Sequence, residues 1–346
     1  MKKKILALIL ACAMILALAA CSGSANTEQP AAENTASDAA EAPAASEETE
    51  ASAEGKTYTV GVCQLVQHEA LDAATQGFCD ALTEALGDAV TIDVQNASGD
   101  SVNCGTIVNG FVSKNVDLIM ANATPALTAA ASATADIPIL GTSITAYGVA
   151  LDIADFSGTV GGNISGTSDL ADLSAQAQMI LDWFPETQKV GLLFCSAEPN
   201  SRYQIEEVAK YLSDKGVETE EFAFTDTNDV ASVTQSAADY SDVVYIPTDN
   251  TAAANTEAIG NVLIPAGVPA ICGEEGICRG CGVATLSISY YDLGVTTGKM
   301  AAKILTGEAN ISEMPVEFTD ATPKYNPSVC EQLGITPLEG YEAIEG

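Results

Sequence analysis

The 346-residue sequence predicts an α/β protein made of two doubly wound parallel-sheet lobes joined by a hinge. Two observations lead there. Short, continuously apolar runs alternate with longer stretches whose apolar residues recur every three or four positions, the pattern of strands buried on both faces alternating with amphipathic helices. The whole pattern also occurs twice. Residues 189–194 match the opening run at 58–63, residues 242–252 echo 117–126, and residues 266–271 echo 135–140. The opening glycines Gly61 and Gly191 stand 56 and 51 residues before Asp117 and Asp242. Such a duplication builds two similar lobes.

Taken in order, residues 58–63 read as a strand. Leu71, Ala74, Phe78, Leu82 and Ala85 then step by three and four, which makes an amphipathic helix. Residues 90–94 form the next strand, and 102–112 a helix with Val108, Phe111 and Val112 inward. Two buried strands at 117–120 and 137–140 flank an alanine-rich helix, after which the second half repeats the series from 189. The expected organisation is a signal peptide at 1–20 and Cys21 opening an acidic linker to 56. The first lobe follows at 57–165 with about 286–318, the second lobe at 166–285, and a C-terminal crossover and tail at 319–346.

The N-terminal leader is an address. Lys2, Lys3 and Lys4 precede an apolar run from Ile5 to Ala20, shorter than the roughly 20 residues a membrane span needs. Its end, Leu18-Ala19-Ala20-Cys21, resembles the bacterial lipobox, which implies cleavage before Cys21 and lipid on the Cys21 sulfur. Several acyl chains would give a durable membrane anchor. The following stretch of Ala, Ser, Glu, Thr and Asn has too little apolar surface to offset its ordering entropy, and reads as a flexible tether.

Charge removes one class of function. Thirteen Lys and Arg against 47 Asp and Glu give a formal charge of −34, so no basic surface exists to hold a nucleic acid. Catalytic signatures are missing too: there is no Gly-x-Ser-x-Gly elbow, no Gly-x-Gly-x-x-Gly after a strand and no Gly-Lys-Ser/Thr phosphate loop. The single histidine, His68, has no such partner motif, so no enzyme activity is expected, and no cofactor or metal. Cys278 and Cys281 form a lone Cys-x-x-Cys without a second pair, and with Cys63, Cys79, Cys104, Cys195, Cys272 and Cys330 they read as small buried hydrophobes.

What remains is binding. Open parallel sheets hold ligands outside the carboxyl ends of their strands. The residues of the polar loops at those ends are the candidates: Gln64, His68 and Leu71, Asn122, Ala123 and Thr124, Ser143, Asn200, Asp249 and Asn250, and Glu274 and Glu275. Helices start in several of these loops and offer backbone N–H groups to a carboxylate. Asp249, Glu274 and Glu275 suit an ammonium. Together the two walls fit a zwitterion, that is, an amino acid.

Residues 64–72, 122–126, 162–169, 247–251, 274–276 and 290–294, in the order of the whole body from 58 to 337, resemble one family. It is the substrate-binding lipoproteins of ABC importers with the type I periplasmic-binding fold, and nearest its tryptophan/tyrosine branch. The resemblance implies a hinged cleft, an amino-acid-like ligand, and a membrane permease with its ATPase as partners. It adds Ser168 and Asp169 to the ligand-binding candidates. Two features depart from the family pattern: Ala146-Tyr147 where an Asp-Pro turn is usual, and Cys278 and Cys281 where small or apolar residues are usual. The expected protein is an extracytoplasmic, lipid-anchored solute-binding protein. Its alternatives are a ligand-sensing lipoprotein receptor and a small hydrolase using the same cleft.

Overall fold

The computed structural model describes residues 56–345; the leader, Cys21 and all but the last linker residue lie outside them. The chain opens with β1 (Tyr58–Gln64), α1 (Glu69–Leu86), β2 (Val90–Asn96), α2 (Ser101–Lys114), β3 (Leu118–Asn122), α3 (Thr124–Ala133) and β4 (Ile139–Thr142). A short α4 (Tyr147–Ala150) and β5 (Ile164–Ser168) end this series. The second series is α5 (Leu173–Trp183), β6 (Lys189–Cys195), α6 (Pro199–Asp214), β7 (Glu218–Phe224), α7 (Val230–Tyr240) and β8 (Val243–Ile246). It continues through α8 (Asn250–Ala253), α9 (Thr256–Ala266), β9 (Ala270–Cys272), α10 (Glu275–Cys281) and β10 (Ala284–Ser287). The chain closes with α11 (Tyr290–Thr306), β11 (Glu317–Phe318), β12 (Thr322–Tyr325), α12 (Pro327–Leu333) and β13 (Glu342–Ala343).

One sheet has the order β11-β5-β4-β3-β1-β2, all parallel; the other is β13-β12-β10-β9-β8-β6-β7, parallel except where β12 meets β10. In both, the lobe's own strands run 2-1-3-4-5, so the duplicated sequence is a duplicated fold. Successive residues of a central strand serve opposite faces. Leu118 and Met120 of β3 pack with Phe78, Leu82 and Met300 under α1 and α11, while Ile119 and Ala121 pack with Phe111 and Leu127 under α2 and α3. The unbroken apolar runs follow from this two-sided burial.

Helices α1 and α11 cross with their backbones in contact. A Cβ on Gly294 would lie 2.0 Å from the Ala74 carbonyl oxygen, and one on Gly77 would lie 2.1 Å from that of Tyr291. Only glycine fits there. The crossing brings the N-termini of both helices to the mouth of the first lobe.

The chain passes between the sheets three times: after β5, after β10, and between β11 and β12. Strand β5 stays in the first sheet through Ser168, beyond the boundary expected at 165. Residues 322–345 are not a simple tail, because β12 pairs antiparallel with β10, β13 pairs with β12, and Val329 and Cys330 of α12 enter the second lobe's core. Pro323 inside β12 and the two-residue length of β13 hide these strands from sequence patterning. All eight cysteines of the described residues are free, seven of them buried. No described helix is long and apolar enough to cross a membrane.

Candidate functional site

The carboxyl ends of both sheets face one cleft. Its inner cavity is lined by His68, Leu71, Ser143, Thr145, Asp169 and Tyr290 from the first lobe and its crossings, and by Asn200, Thr248, Asp249, Asn250, Ala253 and Glu274 from the second. The cleft is shut. His68 Nε2 lies 3.3 Å from Asn250 Oδ1 across it, and at its rim Arg279 of α10 ion-pairs with Glu69 of α1.

Eight of the sequence candidates line this cavity: His68, Leu71, Ser143, Asp169, Asn200, Asp249, Asn250 and Glu274. Six do not. Gln64 is a brace, donating through Nε2 to Asp72 (2.6 Å) and the Val66 carbonyl (2.9 Å) and accepting from the Thr75 hydroxyl. Asn122 donates to the Leu71 carbonyl (2.8 Å) and Thr75, tying β3 to α1. Ala123, at φ 88°, and Thr124 are buried at the start of α3. Ser168 donates to the Thr145 carbonyl and accepts from the Leu170 N–H. Glu275 faces the outer rim, where Arg279 (2.7 Å), Lys324 (2.8 Å) and Ser287 occupy its oxygens.

The first lobe supplies donors. Helix α1 begins at His68 and α3 at Ala123, and neither has a side-chain cap. First-turn N–H groups have no intrahelical acceptor, so α1, whose His68 and Leu71 line the cavity, presents them with the positive end of its dipole. The second lobe is different. Asp249 caps α8, its Oδ1 accepting from the Ala252 N–H (2.8 Å) and its Oδ2 from the Cys195 N–H (2.6 Å). Glu274 caps α10, accepting from the Gly276 (2.7 Å) and Ile277 N–H groups.

Asp249 and Glu275, the acids expected to receive an ammonium, both already hold partners within the protein. One has committed both oxygens to backbone and the other is already neutralised by two cations. The free acceptors lie elsewhere. Asp169 is 3% exposed; its Oδ2 accepts from the Tyr290 hydroxyl (2.9 Å), while its buried Oδ1 has no partner. Asn200 Oδ1 and Ser143 Oγ are likewise buried and unpartnered. Buried polar atoms are nearly always satisfied, so these three orphans leave hydrogen-bonding capacity unused in one cavity.

Electrostatics agree. Burial pushes the Asp169 carboxyl up from its ordinary range. Burial, then the nearby Glu198 charge, raises Asp249 to about 8, and burial raises Glu274 to about 7 against its two N–H donors. Burial lowers His68. Among the described residues these acids have no cation partner, and no group of side chains is arranged to hold a metal.

Sequence reading missed Thr145, Ala253 and Tyr290 in the lining; it placed Thr248 and the loop 196–200 at the cleft without singling out Thr248 or Glu198, which lies behind the lining. Glu198 accepts from Asn250, Thr251 and Asn200, organising the loop after β8. A helix-start signal was present, since Pro199 follows it at the first position of α6.

Residues 59–341 match the family model described as ABC transporter substrate binding protein. The chain is 32% identical over 281 residues to a tyrosine-binding protein of Clostridioides difficile (strain R20291), covering 80% of this chain and 81% of that one. Among solved structures it is similar to an ABC domain from Streptococcus pneumoniae in complex with L-Trp. That similarity has 31% identity and TM-score 0.79, and covers 84% of this chain and all of that one. It is also similar to the ligand-free, open structure of a substrate-binding protein with adhesive properties from Clostridium difficile, at 32% identity and TM-score 0.64, covering 84% and 99%. At matched identity and coverage, the overall structural similarity is higher to the L-Trp complex than to the open structure.

Proposed function

The chain belongs to the family of ABC transporter substrate-binding proteins, which bind solutes and are not enzymes, and from that premise we propose that it captures an amino acid, preferably an aromatic one, for import. The observation that carries this reading is the orphan Asp169 Oδ1 in the same cavity as the uncapped start of α1. The carboxylate of the guest meets the first-turn N–H groups and its ammonium meets Asp169. The relatives that bind tyrosine and L-Trp support an aromatic side chain. Closure of the hinge traps the ligand and presents the closed form to a permease with its ATPase.

A thermal-shift screen of the twenty amino acids, with nucleosides and sugars as controls, tests the assignment. A ligand held only by the folded form stabilises by about 2.7 kcal/mol at 100 times its Kd, a rise of roughly 5 °C for a body of this size. L-Tyrosine or L-tryptophan should produce it, while tryptamine and indole-3-propionate, each lacking one charge, should not. Stabilisation by a sugar or nucleoside and by no amino acid would overturn the reading.

Cys21 carries the anchor in this proposal. Cys21→Ser should yield an unlipidated product that leaves the detergent phase in a partition assay and takes up no labelled fatty acid. Normal lipidation of that variant would remove Cys21 from the role.

A further inference from the structure

We propose that Glu198 is a positioning residue: it fixes the side-chain amide of Asn250 so that the amide oxygen faces His68 across the cleft, making the Asn250–His68 hydrogen bond the latch of the closed form. Glu198 is 4% exposed and has no cation partner among the described residues. Its Oε1 accepts from the Thr251 N–H (2.9 Å) and hydroxyl (2.8 Å). Its Oε2 accepts from the Asn250 N–H (3.0 Å), the Asn250 Nδ2 (2.7 Å) and the Asn200 Nδ2 (3.2 Å).

Donor and acceptor identity fix the orientation of the Asn250 amide. A carboxylate oxygen that already accepts the Asn250 backbone N–H can face only the NH2 side of its amide, because the carbonyl side would set two acceptors together. The Asn250 Oδ1 is thereby turned outward, where it lies 3.3 Å from His68 Nε2. An amide oxygen only accepts, so the His68 proton must sit on Nε2. Glu198 in one lobe thus sets the tautomer of a ring in the other. His68 is available because it heads α1 without folding back as a cap.

The affinity arm of the test rests on the amino-acid reading; the tautomer arm does not. His68 is the only histidine of the chain, so tag-free protein labelled with 15N-histidine gives one pair of ring signals. The wild type should show the Nε2–H tautomer, without added ligand and with saturating L-tryptophan or L-tyrosine. Glu198→Gln, whose amide can also donate, should let Asn250 turn over and mix the tautomers. It should weaken binding of the amino acid about five-fold, the factor for one net hydrogen bond of about 1 kcal/mol. In a His68→Ala background the same substitution should add little, because the contact it serves is already gone. Asn250→Ala, which leaves the Thr251 and Asn200 bonds to Glu198, gives a second cycle with His68→Ala if Glu198→Gln folds poorly. An Nδ1–H tautomer in the wild type, or strictly additive effects in either cycle, would overturn the latch. A wild type that binds neither amino acid but holds the Nε2–H tautomer, lost in Glu198→Gln, would sink the ligand assignment and leave the latch standing.

Discussion

Asp169→Asn is expected to weaken amino-acid binding about 30-fold or more while leaving the ligand-free protein folded and at least as stable. Asparagine has the shape of aspartate, and its carbonyl can still accept from the Tyr290 hydroxyl that now holds Oδ2 at 2.9 Å. What disappears is the charge. Removing one partner of a buried, hydrogen-bonded charge pair costs about 2–5 kcal/mol, since the other charge is left unpaired. At about 1.4 kcal/mol per factor of ten, the low end already gives about 30-fold. The unliganded fold gains on the same substitution, because burial disfavours the Asp169 charge when no cation is present. Calorimetric titration with L-tryptophan or L-tyrosine, together with thermal unfolding of the empty variant, separates the two effects. Near-wild-type affinity would remove Asp169 from the ammonium site. A large loss of stability in the empty protein would make the residue structural.

The same residues show how far the sequence could be read. The duplicated strand–helix series was legible because strands such as β3 are buried on both faces, which leaves a continuous apolar run. The cleft was legible as a place, since strand ends carry the polar loops. The roles of its acids were not. An acid just before a helix either caps that helix or meets a ligand, and Asp249 and Glu274 do the first. The N-cap preference for aspartate was a usable signal at Asp249. At Glu275 the i,i+4 spacing to Arg279 was a usable local signal, while the second cation, Lys324, reaches it from 49 residues away and left none. Tyr290 escaped as a lining residue because it enters the cavity only through the second crossing between lobes. Its effect on the site depends on Asp169, 121 residues distant.

The ligand-free protein is expected to lose thermal stability as the pH rises from about 5 to about 8, and the stabilising increment from an amino acid to grow over the same range. Asp249 is raised from 3.8 to about 8 and Glu274 from 4.5 to about 7, with burial the first cause of both. Between the ordinary and the raised values, the folded chain holds protons that the unfolded chain has released. Stability then falls with pH. The contribution is complete below the ordinary carboxylate range, and is lost once the pH passes about 7 for Glu274 and about 8 for Asp249. At about 1.4 kcal/mol per pKa unit, the two together account for several kcal/mol. Charges facing Asp249 and Glu274 sharpen the effect: Glu198 stands near Asp249, while Asp169 and Glu275 stand near Glu274. Arg279 and Lys324 do not relieve it, being paired with Glu69 and Glu275. His68 opposes the trend, because its lowered pKa costs stability as the pH drops below 6.5. One imidazole against two carboxyls leaves the decline in place. A ligand ammonium beside Asp169 supplies the missing positive charge, favours the ionised acids and releases protons on binding. Scanning calorimetry at pH 5, 6, 7 and 8, with and without L-tryptophan, reads both slopes, and titrations in buffers of unequal ionisation enthalpy count the protons. A flat Tm in the empty protein, or an increment that shrinks as the pH rises, would mean that the buried acids are neutralised by something other than the guest.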